Sequence, residues 1–219
     1  MDYDDAWDEP ARITFSWREA LDLTLSVVVL SVAFALVLIG MNYEKLPSLD
    51  VGQLLAMLPI AAVIVVPAFI LHELAHKIVA QRRDMWAEFR ANPFGLVAGI
   101  VIPALTGFLF AAPGAVEIVG HADKRDAGVI SIVGPLVNVA LAAIALVLNG
   151  LFRPIPIGSF GSLFEIIALL NVILAGFNML PIGPLDGRKV FRWSVLGFVG
   201  MWAIIAGLGW LYYIRASVF

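Results

Sequence analysis

Three histidines occur in the chain, and two of them stand four residues apart in His72-Glu73-Leu74-Ala75-His76. On a helix, positions i and i+4 share a face, so both imidazoles can point at one metal ion. Glu73 lies one residue on, about 100° further round the helix, near enough to reach a water beside that metal without being a ligand. The chemistry open to this triplet is hydrolysis. A Lewis-acidic metal polarises a carbonyl, and a carboxylate moves the proton of the attacking water. A catalytic zinc usually has three protein ligands and one water, so a third ligand has to come from elsewhere in the chain. With no cysteine present, thiolate-ligated zinc, iron–sulfur clusters and disulfides are excluded.

The elements that must position this triplet belong to a membrane. Of 219 residues, 61% are hydrophobic and only 14% charged, against roughly 45–50% and about 25% in soluble domains. So few charged groups cannot cover the surface of a water-soluble globule of this size. Mean hydropathy is +0.95. This composition excludes a soluble enzyme, a disordered chain and a basic nucleic-acid binder, and the net charge of −3 says little about partners. A membrane-spanning helix needs about 20 apolar residues. Six uncharged runs meet that length: Leu23–Tyr43, Val51–Leu71, Pro93–Val116, Ala127–Phe152, Ile166–Leu185 and Trp193–Ile214. The acidic start, Asp2–Glu9, lacks the basic region of a removable signal peptide. It reads as a solvated segment.

The third run stands apart. It holds Pro93, Gly95, Gly99, Pro103, Gly107, Pro113 and Gly114, a density of helix breakers that argues against one straight span. Charge parity tests the alternative. If the N-terminus is cytoplasmic and this run enters and leaves on one side, eleven of the 14 Lys and Arg lie inside, and only Lys45, Arg153 and Arg215 lie outside. If the run crosses fully, the division becomes eight to six. The positive-inside rule favours the first arrangement. The expected fold is an all-α polytopic membrane protein with about five transmembrane helices plus a re-entrant hairpin. Its N-terminus is cytoplasmic and the triplet lies near the cytoplasmic side.

Four residues are candidates for the third ligand. His121 sits among Asp123, Lys124, Arg125 and Asp126 and reads as a solvated surface residue. Glu165 begins a run on the membrane side opposite His72. Glu117 follows the third run and stays open. Asp186 ends the fifth run on the same side as His76, in Asn178-Met-Leu-Pro181-Ile-Gly-Pro184-Leu-Asp186-Gly187. The two prolines stop a regular helix there, and Gly187 permits a tight turn. The bland alternatives are a solvated helix end at His72–His76, with Lys77 and Arg82 supplying compensation, and an ordinary loop aspartate at 186.

Taken together, the motifs resemble the site-2 protease family of intramembrane zinc metalloproteases. The resemblance rests on His72-Glu73-Leu74-Ala75-His76, on Asn178-x-x-Pro181-x-x-Pro184-Leu185-Asp186-Gly187, and on Gly134-Pro135-Leu136-Val137-Asn138 in the span between them, which is similar to the family's Gly-x-x-x-Asn motif. It covers roughly residues 55–192 and implies a three-helix catalytic core within a membrane-embedded unit of 21–219, preceded by a cytoplasmic segment of 1–20. It implies one zinc per chain held by His72, His76 and Asp186, with Glu73 as general base and acid. Asn178 is expected near the substrate backbone or the oxyanion, and Asn138 against the connecting segment or the substrate. Gly134, Pro181, Pro184 and Gly187 belong to the same motifs. The segment Phe89–Val119 would form a membrane-embedded strand or hairpin that lines the substrate path, with Phe110–Val116 matching best. The chain departs from many members in having Arg188 where a second glycine is common, and in leaving no room for a PDZ or CBS domain.

The function implied is hydrolysis of peptide bonds in or next to the transmembrane helices of membrane-tethered proteins. The partners are then a transmembrane-helix substrate and the lipid bilayer, with no nucleic acid. The competing expectation is a non-catalytic membrane protein that binds or transports metal, or binds helices without cutting them. Glu73 separates the two, since a pure binding site has no need of that carboxylate.

Overall fold

The computed structural model describes residues 13–109, 112–152, 154–157 and 160–218. Asp2–Glu9, Arg12, Phe110 and Arg153 lie outside the described residues.

Helix α1 spans Trp17–Leu38, opened by the Ser16 side chain accepting from the Glu19 N–H and closed ahead of Gly40 at φ 66°. It starts six residues before the uncharged run at Leu23. Helix α2, Val51–Gln81, is capped by Asp50 and continues ten residues past the end of its uncharged run at Leu71. The histidine triplet is therefore carried on the end of a membrane helix, not on a loop after it. The third run is flanked by strands β1 (Trp86–Ala91) and β2 (Gly114–Val119), and its middle is helix α3 (Pro93–Thr106). Asn92 caps α3 with Pro93 at its first position, and Gly107 at φ 71° ends it. Then come α4 (Lys124–Leu151), α5 (Leu163–Asn178), α6 (Asp186–Trp193) and α7 (Val195–Val218).

The two strands pair antiparallel, from Trp86↔Val119 to Ala91↔Gly114. The third run therefore begins and ends at neighbouring points, as the re-entrant reading requires. Its length, greater than a bare hairpin needs, is taken up by α3. Asn92 N–H donates to the Pro113 carbonyl at 2.8 Å, which fixes the alternation of the ladder. Residues 88, 90 and 92 face β2, while 87, 89 and 91 turn their backbone groups outward, as do 114, 116 and 118 on the other strand. The outer edge of β1 is occupied by side chains. Glu19 Oε1 accepts from Phe89 N–H at 3.0 Å, and Gln81 Nε2 donates to the Ala87 carbonyl at 2.9 Å. The outer edge of β2 borders a cleft instead.

Four buried clusters among the described residues hold these elements, and the two largest span most of them. One joins Leu30 and Phe34 of α1, Ile64, Val65 and Phe69 of α2, Phe89 of β1, and Ile166 and Leu170 of α5. The other joins Val139 of α4, Ala175 and Met179, Val190 of α6, and Met201 and Ile205 of α7. Large apolar side chains also cover the outside, among them Trp17 at 78% and Leu196 at 84% exposed, as a lipid-facing surface requires. Among the described residues, four helices, α1, α2, α4 and α7, are long and apolar enough to cross a membrane. The fold is an all-α polytopic membrane protein with one small two-stranded sheet. The fifth run divides: α5 has 16 residues, about 24 Å at 1.5 Å per residue, and the remainder leaves the helix. Pro181 and Pro184 cannot continue it, and Gly183 sits at φ 54°. The left-handed position in this turn is therefore Gly183. Gly187 serves a close approach: a Cβ there would lie 2.7 Å from the Leu180 carbonyl oxygen.

Candidate metal centre

Helix α2 presents His72 and His76 on one face, both buried. The unwound segment after α5 brings Asp186, at the start of α6, against them. His72 Nε2 and His76 Nε2 are 3.0 Å apart. Asp186 Oδ2 is 3.5 Å from the first and 3.1 Å from the second. Of the four candidate third ligands, Asp186 is the one that joins the histidines. His121 is exposed, Glu117 is exposed on β2 opposite Glu88, and Glu165 is held by Asn149 and Ser162 at the start of α5.

The hydrogen bonds around the imidazoles decide what this triangle is. His76 Nδ1 lies 2.7 Å from the Ile130 carbonyl oxygen. A carbonyl only accepts, so Nδ1 carries the hydrogen. His72 Nδ1 lies 2.6 Å from Asn138 Oδ1. The amide nitrogen of Asn138 donates to the Ala68 carbonyl at 3.0 Å and to Asn171 Oδ1 at 2.8 Å, which leaves Oδ1 as the acceptor and Nδ1 again as the donor. In its neutral form each ring then leaves a lone pair at Nε2. Two such lone pairs and a carboxylate oxygen converge on one point, the arrangement that a bound cation requires. Tetrahedral donors around zinc, with bonds of about 2.0–2.1 Å, are about 3.3–3.4 Å apart. The donor set and its spacing fit a divalent metal of that kind.

The remaining motif residues frame the triangle. Gly134 lies against both rings: a Cβ there would come within 2.7 Å of His72 Cε1 and 2.6 Å of His76 Cε1. Glu73 is half-buried and lines a cleft of about 200 Å³ together with Gly114, Val116, Asn178, Pro184, Asp186 and Lys189. Asn178 Nδ2 donates to the Leu174 carbonyl within α5, so its side chain borders the cleft without touching the histidines. Pro181 is exposed on the turn. Asn138 is buried against His72 and also lines the cleft that Gly114 and Val116 border. Asn171 was absent from the sequence reading. It lies seven residues, two helical turns, before Asn178 on α5, a spacing that was available to be read. Lys77 counts against the bland alternative of a solvated helix end: it is 0% exposed and paired with the equally buried Glu19.

The chain is 37% identical over 196 residues to the candidate zinc metalloprotease MJ0611 of Methanocaldococcus jannaschii, an alignment covering 87% of this chain and 90% of that one. The chain belongs to the site-2 protease family. It is also 31% identical over 153 residues to the candidate zinc metalloprotease YwhC of Bacillus subtilis, covering 63% of this chain and 70% of that protein. Identity to the candidate zinc metalloprotease sll0528 of Synechocystis is 27% over 180 residues, covering 78% of this chain and 43% of that longer one. No protein-family model and no solved structure matches. The protein is thus a zinc metalloprotease of the membrane, and zinc is the metal its family name implies.

Proposed function

We propose that this metalloprotease hydrolyses peptide bonds in or next to transmembrane helices of membrane-tethered proteins, at one zinc per chain held by His72, His76 and Asp186. The observation that carries this reading is the triangle of converging donor atoms on the end of a membrane helix, with Glu73 beside it in the cleft. Zinc, when bound, supplies Lewis acidity that activates water and polarises the scissile carbonyl. Glu73 takes the proton of the attacking water and returns it to the leaving amine. Asn138 and the Ile130 carbonyl hold the two imidazoles in the ligating tautomer. Asn178 borders the cleft where the substrate backbone would pass.

A helical substrate shields its peptide bonds and must become extended before attack. The outward groups of Gly114 and Ile118 and the Val116 C=O offer that stretch a strand to pair with, while the Val116 N–H is directed at the Glu73 carboxylate. Because the outer edge of β1 is occupied by Glu19 and Gln81, addition falls on β2, beside the metal centre. We read residues 1–20 as cytoplasmic, 21–219 as the membrane-embedded unit, and the active site as near the cytoplasmic side, from the division of Lys and Arg.

The test is Glu73→Ala in full-length protein reconstituted with a helical substrate. Cleavage is expected to vanish while zinc content stays near that of the unaltered protein. A variant that still cuts sinks the proposal.

A further inference from the structure

Glu19 is a carboxylate that the chemistry above does not use. It is 0% exposed in the first turn of α1. Its two oxygens have separate partners: Oε1 accepts from the Phe89 N–H of β1, and Oε2 pairs with the Lys77 ammonium. Lys77 follows His76 directly on α2 and is as buried as Glu19, with its ammonium also 4.1 Å from the Phe15 ring centre. One side chain thus ties three elements together at the level of the metal ligands. The surrounding contacts extend the same link. Ser16 Oγ donates to Glu88 at 3.1 Å, Thr14 N–H donates to Gln81 at 3.2 Å, and Phe89 packs edge-on against Phe69 of α2. A buried ion pair is costly to form and gives little net stability over apolar packing, so holding a fold together does not explain it.

We propose that Glu19 is a positioning residue for peptide hydrolysis: through Lys77 and the Phe89 amide it fixes the β1–β2 sheet relative to the turn of α2 that carries His72 and His76. This rests on strand addition at β2 as the mode of substrate binding. The open edge of β2 is one strand away from the tie. The register and depth of an added chain against the metal centre are then set by Glu19, although no atom of Glu19 reaches the cleft. Misplacing reacting groups by about 1 Å can cost ~100-fold in rate.

Three variants test this in the full-length, zinc-loaded protein in bilayers. Glu19→Gln keeps an acceptor for Phe89 and loses the charge pair. Glu19→Asp keeps the charge and shortens the reach by one methylene. The double variant Glu19→Gln with Lys77→Met also removes the uncompensated ammonium, which protects the fold. Expected in all three is a fall in kcat of ~10- to 100-fold, with KM within about 2-fold, because the pairing groups of β2 are untouched, and with normal zinc content. Position is also read without the reaction. The chain has no cysteine, so nitroxides on Leu71→Cys of α2 and Val119→Cys of β2 report one distance. That distance is expected to shift or broaden in each variant. Unchanged distance and kcat overturn the proposal. So does a loss of activity in step with zinc or with folded fraction, including unfolding of all three variants, which would make Glu19 merely structural. If the unaltered protein binds zinc and cuts nothing while the distances still move, proteolysis has failed and the positioning role has not.

Discussion

Asn138 Oδ1 accepts from His72 Nδ1 at 2.6 Å, and it can do so only because the amide nitrogen of Asn138 is taken up by Ala68 and Asn171. A relay of two asparagines on α4 and α5 thus selects the tautomer of a histidine on α2. Outer partners of this kind typically contribute 10–100-fold in metal affinity. Asn138→Leu is therefore expected to weaken zinc binding by about that factor, measured by competition with a chromophoric chelator. Asn171→Leu, which frees the amide to turn over, is expected to have a smaller effect in the same direction. Unaltered affinity in Asn138→Leu would show that the tautomer is set by something else.

Gly134 gives a sharper steric prediction. A methyl group there would overlap both imidazole rings, and both rings are pinned from behind by hydrogen bonds. Gly134→Ala is expected to abolish stoichiometric zinc while leaving a membrane-inserted, helical protein, as read by metal analysis and circular dichroism. Retention of a full zinc complement would mean that α4 can retreat from α2.

Asp186→Asn separates ligation from proton transfer. The amide keeps the shape and loses the negative charge, so zinc content and activity should fall together. Glu73→Gln should lower only activity, by ~100-fold or more. If zinc content is the same in Asp186→Asn as in the unaltered protein, Asp186 is not a ligand.

Val116→Pro probes the open edge. The Val116 N–H points away from β1 to the Glu73 carboxylate, so its removal breaks no bond of the existing ladder but takes a hydrogen bond from Glu73. Cleavage of a helical substrate is expected to drop by 10-fold or more, on the order expected for a lost hydrogen bond plus misalignment, with zinc retained. Loss of zinc in parallel would place the defect in folding.

The sequence held the site more fully than the fold. His72, Glu73, His76 and Asp186 were legible because ionisable groups beside uncharged runs are rare and costly in a bilayer. The re-entrant character of the third run was legible from its prolines and glycines and from charge parity. The strands were not legible from the residues themselves, because Trp86–Ala91 is too short and mixed for periodicity to separate it from a loop, and only the family resemblance implied a strand or hairpin within Phe89–Val119. Glu19 and Lys77 were not legible as a pair, for a different reason. They lie 58 residues apart in sequence, each looks like an ordinary charge flanking a span, and only tertiary contact shows that each is the other's compensation. Asn171 was passed over as a polar residue in an apolar run, where its meaning depends on the helix it faces.

An unpaired strand edge invites pairing with other copies and is a standing aggregation hazard. β2 carries such an edge, yet its outward groups border a cleft walled by α2 and by the Pro184–Lys189 segment. The space beside that edge is a cleft of about 200 Å³, narrow enough to suit a single extended chain better than a second sheet. Enclosure does here what surface lysines or edge prolines do elsewhere, and it restricts pairing to segments that have already lost their helical structure.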